Sequence, residues 1–270
     1  MQNPDLLFPA SLVVTEQTID ISGFTDKQKG FYLNLFWKTV AIFNDSKKSR
    51  VIIGIAGPTG AGKSVVAVLF KELARQAALP FAFESITIDA YHYPNSFLSS
   101  HFSEGASVTL DPNGAQPKSP AAAQFPFFRQ TLKQVKGRFD TYDVPALVKA
   151  LQTFAAGENV SFPAYSRKLH DPVPNSIRIE SKATLLVVEG LWLLSEIGGW
   201  ENVGSLLDYC YFIDSDKERT KQAVVKRHMA GGRTFEDASK YYEAVDGKNS
   251  DLTLRTKYHA DEVIPPYYLI

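Results

Sequence analysis

The sequence predicts an α/β fold, a mainly parallel β-sheet covered by helices on both faces. Three observations predict it. From Val51 onward, short apolar, β-branched runs alternate with segments of helical periodicity. The stretch Gly57-Pro58-Thr59-Gly60-Ala61-Gly62-Lys63-Ser64 fits the GxxxxGK[ST] pattern of a phosphate-binding loop, set between a strand-like and a helix-like run. Strand-like runs also end in an acid at Asp89, Glu189 and Asp214, and ligands of doubly wound sheets collect at the carboxyl ends of strands.

In chain order, residues 1–49 form an extension ahead of the first core strand. Thr25 is placed to cap a helix carrying Phe31, Leu33, Leu35, Phe36, Val40 and Phe43, several at helical spacing. This helical extension is expected to pack on the main domain, 50–270, with partner binding as the other reading. Strands are expected at 51–56, 85–89, 184–189 and 209–213, with a short one at 262–264. Residues 99–127 are rich in Ser, Pro, Ala and Gly and include Asp111-Pro112-Asn113-Gly114, a composition that predicts an exposed insertion.

The loop dictates its own chemistry. Its glycines let the backbone wrap phosphates, and its N–H groups converge with a helix N-terminus on the negative charge. Gly57, Pro58, Thr59, Gly60, Ala61, Gly62, Lys63, Ser64 and Val65 are therefore the expected nucleotide contacts, in a P-loop NTPase arrangement. Lys63 would reach the β- and γ-phosphates, and the Ser64 hydroxyl would ligate Mg²⁺. The competing reading is a plain glycine turn. Among the acids, Asp214 or Asp216 suits a cap for the helix starting at Lys217, whereas Asp89 and Glu189 have flanks that favour chemistry.

Composition narrows the rest. The formal net charge is +0, which gives no electrostatic case for nucleic acid or anionic membrane as a main partner. The single cysteine, Cys210, excludes an intramolecular disulfide and a cysteine-built zinc site, and its apolar surroundings predict a buried small hydrophobe. Met1 to Ala10 lack a basic segment followed by an apolar run, and no stretch is long enough to span a bilayer. A cytoplasmic protein is expected. A homodimer is left open.

Further motifs carry a family resemblance. Asp89-Ala90-Tyr91-His92-Tyr93-Pro94-Asn95 is similar to a DGFxxPN pattern, and Lys136-Gly137 through Asp143 to a KGxPxxxD element. Pro163-Ala164-Tyr165-Ser166-Arg167 with His170-Asp171-Pro172-Val173-Pro174 is similar to PxYxxxxxDxVP. Val188-Glu189-Gly190-Leu191, Arg227-His228-Met229, Gly232, Asp246, Asn249 and Ala260-Asp261 follow in order. With the loop, these motifs resemble the P-loop small-molecule kinases of the phosphoribulokinase, uridine kinase and bacterial pantothenate kinase superfamily. The pantothenate kinase-like and fructose-transport/glycerate kinase-like branches are the nearest.

The resemblance implies an ATP- and Mg²⁺-dependent transfer of the γ-phosphoryl group to a hydroxyl of a small metabolite. A sugar or sugar acid such as glycerate ranks first, with pantothenate or a nucleoside as alternatives. It implies that Asp89 is the base, with Lys63 and Arg227 supporting the transferred group, Arg227 from a lid at about 226–250. Ser64 and Glu189 would serve the metal, although Asp89 and Glu189 could exchange roles. Asp89, His92, Tyr93, Tyr165, Arg167 and His170 would contact substrate. Departures from the pattern are Ala90 after the acid, Arg138-Phe139 in place of the Pro, and Arg167 where His is common. The 99–127 insertion borders the acceptor region. No Asn-Lys-x-Asp element favours a GTPase, and a non-catalytic ATP-binding regulator is the remaining alternative class.

Overall fold

A computed structural model describes residues 6–102, 131–180 and 182–265. Nearly all of the expected insertion lies outside these residues. The chain opens with a β-hairpin, β1 (Ser11–Val14) and β2 (Gln17–Asp20), followed by α1 (Asp26–Ser46). Thr25 caps α1 through a capping box with Gln28, satisfying two N-terminal N–H groups at once. The hairpin was absent from the sequence expectation, whose extension was purely helical.

The core is a five-stranded sheet of β3 (Arg50–Ala56), β4 (Ala82–Thr87), β7 (Thr184–Gly190), β8 (Tyr209–Ile213) and β9 (Glu262–Ile264), in the order β4-β7-β3-β8-β9. Every neighbouring pair is parallel, as the alternating pattern predicts. β3 and β7 are buried along their whole length, which is why both read as continuous apolar runs without alternation. Cys210 is 2% exposed, and burial pushes its thiol up to about 12, so it is the inert core residue expected.

Two apolar layers cover the sheet. On one side α1, β1 and α2 (Lys63–Ala77) pack with Val51, Ile53, Ile55 and Tyr211. On the other, Ile52, Val188 and Phe212 meet α4 (Val144–Ala155) and the indoles of Trp192 and Trp200. Both indole N–H groups reach carbonyls, Gly137 O at 3.0 Å and Phe139 O at 3.1 Å, so these aromatics are buried without an orphaned donor.

Two regions differ from the sequence expectation. β4 ends at Thr87, and Asp89 sits in a 3₁₀ turn, Ile88–Tyr91. The Thr87 hydroxyl accepts from the Asp89 N–H, offering the backbone a turn in place of another ladder step. β5 (Val160–Ser166) and β6 (Asp171–Ile179) form a separate antiparallel hairpin with a register shift between Phe162 and Ala164. Pro163, Pro172 and Pro174 obscured these strands, because proline is confined to edges and bulges. The remaining helices are α3 (Asn95–Ser100), α5 (Glu201–Gly204), α6 (Lys217–Ala230), α7 (Phe235–Tyr241) and α8 (Gly247–Arg255), with a π-turn over Tyr242–Asp246. Asp216 caps α6 by accepting from Arg219 N–H at 2.9 Å. Asp214 instead accepts from Lys257.

Candidate active site

The central strand β3 delivers the phosphate-binding loop, and α2 begins at Lys63. Gly57 (φ 149°) and Gly60 (φ 84°) hold backbone conformations that side chains rarely adopt. A Cβ at Gly57 would lie 2.7 Å from Ile213 O, and one at Gly60 would lie 2.9 Å from both Thr220 O and Val224 Cγ2. Glycine is therefore required twice over, by dihedral and by space. The N-cap of α2 is Gly62, with no side-chain cap and no acid in the first turn. Its leading N–H groups are thus left for an anion, and the helix dipole favours one there.

Glu189 is brought to this point by the sheet register, opposite Ile55 of β3 on one side and Thr87 of β4 on the other. The Ser64 hydroxyl donates to Glu189 Oε1 at 2.9 Å. Lys63 folds back to donate to Pro58 O at 2.8 Å. Both charged groups are nearly enclosed, Glu189 at 5% and Lys63 at 8% exposure. Burial raises the Glu189 pKa, opposed by the charge of Lys63. Burial likewise lowers that of Lys63, opposed by Glu189 and Asp89. A hydroxyl in the first turn of α2 and a carboxylate near the end of β7, beside a phosphate loop, form the hard oxygen set that suits Mg²⁺. That ion keeps several waters and takes few protein ligands.

The acceptor side is built around Asp89. Arg167, at the turn after β5, places Nη2 at 3.5 Å from Asp89 Oδ2, and His92 Nε2 lies 3.8 Å from Oδ1. Burial works to raise the Asp89 pKa, but Arg167, then His92, Arg227 and Lys63, outweigh it and hold the carboxyl below its ordinary range. Asp89 is consequently ionised at neutral pH, and its side chain keeps 31% exposure, unlike Glu189. His92 is stacked on Tyr142 at 3.8 Å between ring centroids, and its Nδ1 is 3.1 Å from Thr141 O. Burial lowers its pKa to about 4 despite Asp89. A neutral ring with Nδ1–H donating to Thr141 O leaves the Nε2 lone pair on the Asp89 side.

Around this centre stand further groups. Arg167 and Lys136 both lie over the Tyr165 ring, at 5.4 Å each. Lys136 also donates to Asn95 Oδ1 and to the His170 carbonyl. His170 itself is exposed at the β5–β6 turn with φ 52°, so its carbonyl supports the site from below Lys136. Tyr93 is half-buried and packs against Phe97, with its N–H donating to Thr141 O. Arg227, on α6, has its pKa lowered by burial and by Arg167, against Asp246, Asp89 and Glu189. Next to it, His228 Nε2 is 2.8 Å from Asp246 Oδ2, and Tyr241 donates to Lys136 O at 3.1 Å. The α6–α7 segment is thereby tied to the Lys136-Gly137 element.

The structure brings Lys63, Ser64, Asp89, His92, Tyr165, Arg167, Glu189 and Arg227 into one electrostatically connected cluster. Sequence reasoning overlooked individual roles for Lys136 and Tyr142, although both lay within a quoted motif. Tyr142 is 3% exposed and its hydroxyl has no hydrogen-bond partner among the described residues, while Asp89, Tyr165, Glu189 and Asp246 all bear on it electrostatically.

No family model matches the chain. A protein from Escherichia coli K12 called YggC, itself uncharacterized, is 26% identical over 215 residues, covering 80% of this chain and 77% of that protein. A pantothenate kinase of Agrobacterium fabrum is 28% identical over 233 residues, 83% of this chain but 61% of that enzyme. Against the pantothenate kinase of Rhizobium rhizogenes, the match spans 54% of its length. Among solved structures, a provisionally assigned fructose transport system kinase from Silicibacter sp. TM1040 superposes with a TM-score of 0.68 at 18% identity, covering 87% of this chain and 98% of that one. A provisionally assigned P-loop kinase of Saccharomyces cerevisiae, YFH7, gives a TM-score of 0.63 at 14% identity over the same shares.

The fold is that of the P-loop kinases, and the curated pantothenate kinases that the chain resembles are matched over little more than half of their length. The relatives bear out the resemblance read from the motifs, the pantothenate kinase-like and fructose-transport kinase-like branches included.

Proposed function

We propose that this protein transfers the γ-phosphoryl group of ATP, with Mg²⁺, to a hydroxyl of a small acidic metabolite, a glycerate-like sugar acid first. The observation that carries this reading is the pairing of Asp89 with Arg167, beside a phosphate loop in which Lys63 folds back on Pro58 O and Ser64 bonds to Glu189 of β7. Phosphoryl transfer asks the protein mainly for positioning and charge neutralisation. The loop and the α2 N-terminus hold the triphosphate. Ser64 and Glu189 would hold the metal, which when bound neutralises charge on the β- and γ-phosphates.

Asp89 orients the acceptor hydroxyl and takes its proton. Glu189 is less suited to that task, because it is enclosed and engaged by Ser64, whereas Asp89 is open to an incoming molecule. Lys63 and Arg227 face the charge that spreads over the moving phosphoryl group. Arg167 and Lys136 supply positive charge at the acceptor side, and a guanidinium fork suits a carboxylate. The neutral His92 Nε2 is an acceptor for a second substrate hydroxyl. Pantothenate is the second reading. It too carries hydroxyls and a carboxylate, and the curated pantothenate kinases are sequence relatives.

The test is a screen with ATP and Mg²⁺ against glycerate, other sugar acids, neutral sugars, pantothenate and nucleosides, following ADP release and product mass. A phosphorylated acid supports the proposal and names the acceptor. Phosphorylation of neutral sugars or nucleosides alone overturns the acidic-acceptor reading. ATP binding without any product overturns the catalytic reading in favour of a regulatory nucleotide binder.

A further inference from the structure

The N-terminal hairpin ends beside the acceptor site. Val14 and Gln17 are paired, leaving Thr15-Glu16 as a two-residue turn. Both have positive φ, 43° and 68°, the backbone of a type I′ turn that normally takes Asn-Gly. A β-branched threonine in this region is an outlier, and such strain persists only where the surroundings over-determine it. The surroundings here are the substrate segment itself. Glu16 accepts from the Ser166 hydroxyl at 3.1 Å and from Lys168 N–H at 2.9 Å. Thr15 Oγ1 accepts from Arg167 Nε at 3.4 Å. The same guanidinium reaches Asp89 through Nη2. The hairpin is in turn seated in the core by Leu12 (4% exposed) and Val14 (6%), and Ile21 N–H bonds back to Ala10 O.

We infer that the Thr15-Glu16 tip is a positioning element of the acceptor site. Glu16 holds the Ser166 hydroxyl and the Lys168 N–H on either side of Arg167 and Thr15 steadies its guanidinium, so that the fork is presented to Asp89 and to an acidic acceptor. This rests on the kinase reading above. It gives the extension a role in recognising the acceptor, since the tip's side-chain hydrogen bonds among the described residues fall on residues 166–168. Arg167 is an unbranched, many-rotamer side chain. Fixing it before the acceptor arrives removes an ordering cost that would otherwise weaken binding.

The experiment compares wild type, Glu16→Ala, Glu16→Gln and, as a control on the exposed face of the same hairpin, Thr18→Ala. Steady-state kinetics are measured with the acceptor found in the screen. Glu16→Ala keeps the backbone problem unchanged and removes only the clamp, so the acceptor KM should rise about tenfold. The KM for ATP and the Tm should stay near wild type. Glu16→Gln, which retains one acceptor oxygen, should recover part of the loss, and Thr18→Ala should behave as wild type. An unchanged acceptor KM in Glu16→Ala, or an equal rise in Thr18→Ala, overturns the inference while leaving the kinase reading intact. Should wild type turn over no acceptor, the kinase reading falls, and the inference is decided by NMR. The Arg167 Nε–H resonance, assigned with Arg167→Lys, shifts or broadens in Glu16→Ala if the tip positions the guanidinium. An unmoved resonance overturns it.

Discussion

Asp89→Asn separates orientation from proton transfer. The substitution preserves shape and removes the charge that Arg167 faces at 3.5 Å and His92 at 3.8 Å. A positioned general base contributes about 10²–10⁴ in rate. Arg167 and its companions hold the Asp89 carboxyl below its usual range, which makes it a weak base and moves the expected loss toward the smaller figure. A kcat reduction of about 10²–10³, or ~3–4 kcal/mol in the barrier, is the outcome. The affinity for ATP should change by less than about threefold, because uniform binding of the nucleotide is untouched. Arg167 loses its partner but remains 26% exposed, so the stability cost stays within the ~1 kcal/mol of a solvent-accessible pair. The assay is single-turnover transfer alongside ATP titration and urea unfolding. A kcat near wild type, or a loss mirrored by an equal weakening of ATP binding, would refute the assignment of Asp89 as base.

Lys63→Ala should weaken triphosphate affinity and turnover together, read by isothermal titration and by rate, since its ammonium acts on phosphate in both the ground and transition states. Glu189→Gln should raise the Mg²⁺ concentration needed for half-maximal rate by about tenfold or more while leaving nucleotide binding without metal unchanged, as removing one hard ligand predicts. Gly60→Ala, forced into a left-handed dihedral against Thr220 O, should cost about 1–2 kcal/mol from the dihedral alone, with weaker ATP binding, measured by thermal shift with and without nucleotide. His92 has a folded pKa of about 4 against an unfolded value of about 6.5. The unfolded state therefore binds the extra proton first, and stability falls as pH drops from 6.5 toward 4. Urea unfolding at a series of pH values should show that slope in wild type and a flatter one in His92→Phe, and equal slopes would remove His92 as its source.

Legibility followed the range of the interactions. The loop, its strand and its helix were readable because glycine dihedrals, an apolar run and a helix start are local facts. Thr25 was recognisable as a cap for the same reason. β8 and the short edge strand β9 fell on their expected bounds; for β8 the reason is that buried parallel strands announce themselves by composition. The β5–β6 hairpin did not, because its prolines argue against strands one residue at a time, while its stability comes from pairing. Arg167 was legible as a candidate only by resemblance, and its contact with Asp89 is a meeting of residues 78 apart. The Thr15-Glu16 tip was invisible, as nothing in a Thr-Glu pair signals a left-handed turn. Its conformation is fixed by what it touches.

The seating of α1 has a consequence for how the chain reaches its native state. Thr39 on α1 lies 3.1 Å from the Tyr211 hydroxyl, and Lys38 pairs with Glu262, 224 residues away. Phe36 is fully enclosed against Phe70 and Phe83. During synthesis the first helix therefore emerges before its partners: its aromatic stripe must wait for α2 and β4, and Thr39 and Lys38 far longer for β8 and β9. Contacts so distant in sequence slow folding, because the loop must close before it is rewarded. For that interval Tyr32, Phe36 and Phe43 are an adhesive surface. Yield from a ribosome, more than final stability, is where changes along this stripe should first be felt.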